Sequence, residues 1–313
     1  MPQRFLPHLA KPMVPLGKDG SSEMLLDFLV CMLREMPPGL VEKIYLVHVV
    51  SDDALKKALG RDLRLEALLE ESGLLRDLYE KYLQEEARPF LTQAEERLRR
   101  DLPEVAVERV ILRGHPPREL VLWAHREGIK AEIIARRARS HLAELVLGSC
   151  THALLHRPGE HSTYVVGRLF AEKAHCRDPR FLVCLDGSPY ARKALEEAAG
   201  LGLLWEPREI VLLYVVEILS VLEKKIRSEQ AEAVLAEAEQ FLRDLGLRTR
   251  ILTKRVSGDP AEEIVREAEA GGYDLVFLGR RGMGYLKEVL VGSVSERVIH
   301  RVVSPTVVVV NRT

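Results

Sequence analysis

The sequence is poor in cysteine. Cys31, Cys150, Cys176 and Cys184 stand far apart and no CxxC pair occurs, so neither a disulfide scaffold nor a thiolate zinc knot is expected and a reducing cytoplasm fits. No excess of either charge is present, with 46 Lys and Arg against 47 Asp and Glu, which withholds the whole-chain electrostatic drive toward nucleic acid or anionic membranes. No stretch approaches the ~20 apolar residues of a membrane span, and the start, MPQRFLPHLAKPMVPLG, has no apolar core beside a cleavage site. The expectation is a soluble, cytoplasmic protein without a nucleic-acid or membrane partner. A Walker loop, a GxGxxG dinucleotide fingerprint and an HExxH metal signature are also missing.

What the chain does have is ample apolar content, 47% over 313 residues, more than one core usually serves, so two domains are expected. An internal repeat supports this. ARRARSHLAELVLGS (135–149) aligns with GRRGMGYLKEVLVGS (279–293) at an offset of 144, without a gap and with six identities. The same offset pairs RGHPPREL with SGDPAEEI, and Tyr164-Val165-Val166 with Val308-Val309-Val310. Upstream, KDGSSEMLL matches LDGSPYARKAL at an offset of 167, so the first half carries 23 more residues, between about 51 and 104.

Short β-branched runs alternate with periodic stretches in each half. FLVCL, EIVLLYVV, RTRILTKRV, YDLVFLG and TVVVV are the expected strands of the second half; KPMVPL, VEKIYLVHVV, VAVERVILR, AEIIA and STYVV are those of the first. The pattern predicts an α/β fold of two tandem five-stranded parallel sheets, Rossmann-like, covered on both faces. The segment GRLFAEKAHCRDPR reads as the connector, which gives domains over 1–167 and 181–313 with a linker at 168–180. Valine-rich last strands would be exposed edges, so the halves are expected to pack as a pseudo-dimer with TVVVV facing STYVV.

In the second half, Gly279 ends the fourth strand, Gly282 and Gly284 follow, and Gly292-Ser293 opens the last helix after nine intervening residues. Glycines there permit positive φ and close approach of backbone amides to a ligand, and a helix amino terminus favours an anion. Ser293 and Ser295 offer hydroxyls. Asp186 follows the first strand, where α/β sheets bind ligands, but by itself it reads equally as a helix cap.

The GxxG, nine residues, Gly-Ser pattern resembles the nucleotide loop of the universal stress protein family, and Asp186, Val215, the GDP turn at Gly258 and LKEVLVGSVSERV extend the resemblance over the whole second half. The first half resembles the family more weakly. The resemblance implies a domain like those of the adenine nucleotide alpha hydrolases. It implies a site for ATP, or ADP or AMP, with magnesium as a companion. Asp186 would contact the adenosine, Val215 the base through its backbone, and Gly279, Arg280, Gly282, Gly292, Ser293, Val294 and Ser295 would surround the phosphates. It also implies a nucleotide-responsive stress regulator, with protein partners or a homodimer of the tandem chain. Slow ATP hydrolysis or phosphotransfer, for which Arg280 and Lys287 are the nearby cations, and a ligand-free scaffold are the alternatives.

In the first half Ala135, Ala138 and Ser140 replace Gly279, Gly282 and Gly284, while Asp19, Gly148 and Ser149 persist. A single nucleotide per chain is therefore expected. SCTHALLHRPGEH adds Cys150, His152, His156 and His161; the two histidines four apart share a helix face, as a transition-metal site needs, although solvated or packed histidines give the same pattern. The surplus is leucine-rich and helical, expected to pack on its own sheet.

Overall fold

The computed structural model describes residues 8–18, 20–34, 36–51, 74–138, 145–168, 177–217, 221–282 and 291–311. In the first half β1 (Pro12–Pro15), β2 (Lys43–Val50), β3 (Ala106–Arg113), β4 (Ala131–Ala135) and β7 (His161–Val166) are the expected strands. Their counterparts are β8 (Arg180–Leu185), β9 (Glu209–Val216), β10 (Arg250–Ser257), β11 (Leu275–Gly279) and β12 (Thr306–Asn311). A small antiparallel pair, β5 (Arg137–Ala138) with β6 (Leu145–Val146), was not expected from the pattern.

The ten strands form one sheet in the order β10-β9-β8-β11-β12-β7-β4-β1-β2-β3. Within each half every pairing is parallel, and the halves meet where β12 runs antiparallel to β7 with Val308 opposite Tyr164. Each valine-rich edge is thereby closed by the other, which removes the unpaired N–H and C=O groups that an isolated half would present. Two apolar clusters, one on each face, run through both halves: one contains Phe28, Tyr164, Phe181 and Val308, the other Val47, Val165, Leu182 and Val307. Alternate valines of β12 thus serve opposite faces, as a strand covered on both sides requires.

Further contacts tie the halves. The buried Tyr164 hydroxyl donates to Glu197 Oε1 at 2.7 Å, and the Gly167 N–H donates to Thr306 Oγ1 at 3.2 Å. A Cβ on Gly167 would lie 2.2 Å from the Pro305 carbonyl oxygen, so only glycine fits there.

Helices cover the sheet: α1 (Ser21–Arg34), α2 (Leu74–Tyr82), α3 (Arg88–Asp101), α4 (Pro116–Arg126) and α5 (Ser149–Leu155) in the first half, and α6 (Pro189–Trp205), α7 (Val221–Asp244), α8 (Pro260–Ala270) and α9 (Ser293–Arg301) in the second. The described part of the surplus is α2, a π-helical turn at Leu83–Ala87, and α3. The widened turn ends two residues before Pro89, which has no N–H to continue the α ladder. Leu91, Ala94 and Leu98 pack on the sheet of their own half, as periodicity suggested. Residues 52–73 and 169–176 lie outside the described residues. Against the expectation from cysteine spacing, the buried Cys31 is disulfide-bonded; wide separation in sequence carries no information about proximity after folding. No described helix is long and apolar enough to cross a membrane.

Candidate nucleotide-binding site

In the second half the strand order reverses between β8 and β11, the place where such sheets open a crevice beyond their carboxyl ends. Pairing between the two stops at Phe277 opposite Val183, two residues short of Gly279 and Leu185, so the strands part just before Asp186 and Arg280.

Asp186 begins a tight turn. Gly187 holds φ +83, which only glycine adopts easily, and the Ser188 N–H donates to Asp186 Oδ1 at 2.9 Å. The cap of α6 is Ser188, whose Oγ accepts from the Ala191 N–H at 3.1 Å. Asp186 is therefore not the cap. Its Oδ2 instead lies against Gly282: a Cβ built on that glycine would stand 2.5 Å from it. On the other side, a Cβ on Gly292 would meet Arg280 O and Arg281 Cα at 3.4 Å and Gly282 N at 3.6 Å. Asp186, Gly282 and Gly292 are thus brought together from three separate parts of the chain.

The glycines act differently from the expectation. None of Gly279, Gly282 and Gly292 has positive φ; what they provide is close approach. At Gly279 the approaching group is protein, since a Cβ would fall 2.6 Å from the Tyr190 carbonyl carbon and 2.7 Å from the Ala191 nitrogen. That glycine seats the start of α6 on β11. Gly292 is the N-cap residue of α9 and supplies no side-chain cap. The first intrahelical bond runs from the Glu296 N–H to Gly292 O at 2.9 Å, so the N–H groups of Ser293, Val294 and Ser295 precede the ladder. Both α6 and α8 differ in having side-chain caps, Ser188 and Asp259.

The side chains of two residues expected at the phosphates have protein partners. The Ser295 hydroxyl is buried and donates to Gly279 O at 2.8 Å, fastening α9 to β11. The Arg280 side chain is 3% exposed and crosses into the first half, where Nη1 donates to Arg157 O at 3.0 Å. Its Nε and Nη2 have no partner among the described residues. Burial first, and then neighbouring Arg281, bring its guanidinium down to about 10. The Arg280 backbone is also engaged, with N bonded to Val310 O at 2.9 Å and O accepting from Gly292 N at 2.8 Å. Val215 is half-buried one residue beyond the last β8–β9 pair, Leu185 with Tyr214. Ser293 is exposed. Gly284 and Lys287 lie outside the described residues.

In the first half Asp19 and residues 139–144, including Ser140, also lie outside them. Ala135 carries the Cβ that Gly279 has no room for, and Thr151 Oγ1 donates to its carbonyl at 3.2 Å, mirroring Ser295. The equivalent crevice holds a cavity of about 140 Å³ lined by Leu16, His48, Ala135, Gly148 and Thr151 among others, below the about 300–1,000 Å³ of ordinary small-molecule sites. The His48 ring is buried beside it, with Nδ1 donating to Leu16 O at 2.8 Å.

The histidine cluster divides. His161 is buried in β7, its Nδ1 donating to Gly159 O at 2.9 Å, and burial together with Arg157 lowers its imidazole to about 3. Cys150 is partly buried against the apolar cluster. His152 and His156 are stacked, with ring centroids 4.1 Å apart, and the carboxylate that joins them is Glu296 of α9. Motif reading within one segment missed Glu296. The repeat held the signal, because residue 296 is the equivalent of residue 152 at the offset of 144.

Two segments of the chain, residues 40–158 and 179–310, fit the sequence model of the universal stress protein family. Universal stress protein YxiE of Bacillus subtilis is 30% identical over 147 residues, covering 42% of this chain and 97% of its own. Universal stress protein MJ0577 of Methanocaldococcus jannaschii is 38% identical over 82 residues, 26% of this chain and 49% of its own. A crystal structure of a universal stress protein from Archaeoglobus fulgidus matches with a TM-score of 0.64 at 20% identity, covering 97% of this chain and 99% of that one, a likeness of fold through both halves.

Proposed function

This chain belongs to the universal stress protein family, and from that premise we propose that its second half, residues 181–313, binds ATP or the related ADP or AMP and signals the nucleotide state to a stress response. The observation that carries the proposal is the uncapped amino terminus of α9 beside the contact of Asp186 with Gly282, at the switch point of the sheet. The N–H groups of Ser293, Val294 and Ser295 and the positive end of the helix dipole suit phosphate oxygens. Asp186 would accept hydrogen bonds from the adenosine, Val215 would offer its backbone to the base, and the missing Cβ of Gly282 would leave the Asp186 carboxylate room to keep its place. Magnesium would enter with a triphosphate.

Arg280 then acts as a brace rather than a phosphate ligand, fixing the start of the loop to β12 and to the first half. That favours binding over phosphoryl transfer, since a transfer site aims its cations at the developing charge. The first half, residues 1–167, would support its neighbour without holding a nucleotide.

The test is chromatography of the supernatant after denaturing full-length protein purified without added nucleotide. An adenine nucleotide should be released, and Asp186→Ala protein should release little. Protein that carries none and takes up none in titration would sink the proposal.

A further inference from the structure

The boundary between the halves carries a second cluster of chemistry, one donor of which follows the amino terminus of α9. His152 lies in the last turn of α5 and His156 directly follows that helix, its N–H bonded to His152 O at 3.1 Å. Their rings stack at 4.1 Å between centroids, 24° from parallel. Glu296 approaches from the first turn of α9, and one nitrogen from each imidazole and one carboxylate oxygen all lie within 4.8 Å of one another. His152 and Glu296 are equivalent positions of the repeat, and equivalent positions meet only near a twofold axis. The cluster therefore sits at the pseudo-twofold axis and takes donors from both halves.

We propose that His152, His156 and Glu296 bind one divalent transition-metal ion of the zinc class, which clamps α5 of the first half to α9 of the second. Two imidazoles and one carboxylate are a donor set that zinc takes, with water in the fourth position. Magnesium and calcium prefer oxygen donors throughout, which excludes them here. Donor atoms around a tetrahedral zinc with bonds of about 2.0–2.1 Å stand roughly 3.4 Å apart, so binding requires the stacked rings to turn out of their near-parallel arrangement and aim one nitrogen each at the ion. His161 and Cys150 are not ligands: the first is buried against the Gly159 carbonyl and the second is outside the donor group.

The experiment uses full-length protein stripped with a chelator and free of nucleotide. Zinc is titrated by calorimetry, and cobalt replaces it for visible absorption, which is intense only for tetrahedral coordination. One zinc per chain is expected, with a tetrahedral cobalt spectrum and a raised unfolding temperature. Glu296→Gln, which keeps the side-chain shape, and His156→Ala should each weaken zinc binding at least tenfold. His115→Ala, next to the outer strand β3, should leave it unchanged. Absence of zinc binding would overturn the proposal. So would loss in the histidine variant with full affinity in Glu296→Gln, which would reduce the site to a surface histidine pair on one helix.

Discussion

Gly282→Ala adds one methyl group, and its target is defined. The new Cβ would stand 2.5 Å from Asp186 Oδ2, about 1 Å inside ordinary contact, while Oδ1 of the same carboxylate is held by the Ser188 N–H at 2.9 Å. Gly282 is exposed at the loop, so the chain relaxes at little cost in stability, but the carboxylate must leave its place. A hydrogen bond to a charged group contributes about 1.5–3 kcal/mol. Losing one such contact to the nucleotide weakens binding by roughly ten- to a hundredfold. Calorimetric titration with ATP gives the affinity, and a thermal melt confirms folding. A double-mutant cycle isolates the cause: because Asp186→Ala removes the atom that the methyl group strikes, the double variant should bind no more weakly than Asp186→Ala alone. Unchanged affinity in folded Gly282→Ala protein, or simple additivity in the cycle, would refute the reasoning.

Gly279→Ala should damage the fold rather than the site alone, since its Cβ meets Tyr190 and Ala191 backbone at 2.6–2.7 Å; a loss of about 1–3 kcal/mol in urea denaturation is expected. His161, brought from an ordinary 6.5 down to about 3, is neutral in the folded protein. Its contribution is complete above about pH 6.5 and is lost as the pH falls toward 3, because the unfolded chain binds the proton first. His161→Gln should accordingly flatten the fall in stability between pH 7 and pH 5, measured by urea midpoints. Each half expressed alone should aggregate or lose stability, with β7 or β12 left as an open edge; a soluble monomer of undiminished stability, seen by light scattering and melting, would contradict the shared sheet.

Strands were legible because their valine and isoleucine runs are short and bounded, and β4 and β9 begin and end where AEIIA and EIVLLYVV do. The repeat revealed more than its identities, since the offset of 144 relates the paired hydroxyls of Thr151 and Ser295 and the buried Arg136 and Arg280. Direction was not legible. Arg280 stands beside the glycine loop in sequence, yet its side chain points into the other half, because β11 neighbours the junction strand β12. Gly279 and Ser295 fit a phosphate motif equally well as packing devices, and only the positions of α6 and α9 decide between these roles. The Glu296 cluster and the Cys31 disulfide depend on contacts between segments distant along the chain, which local periodicity does not encode.

On the proposed function, one half of this tandem chain holds an adenine nucleotide and the other does not. The most direct test is the stoichiometry of ATP binding to nucleotide-stripped, full-length protein, measured by equilibrium dialysis at saturating ligand. One ATP per chain is expected, abolished by Asp186→Ala and retained by Asp19→Ala. Two per chain, or equal losses from the two substitutions, would contradict it.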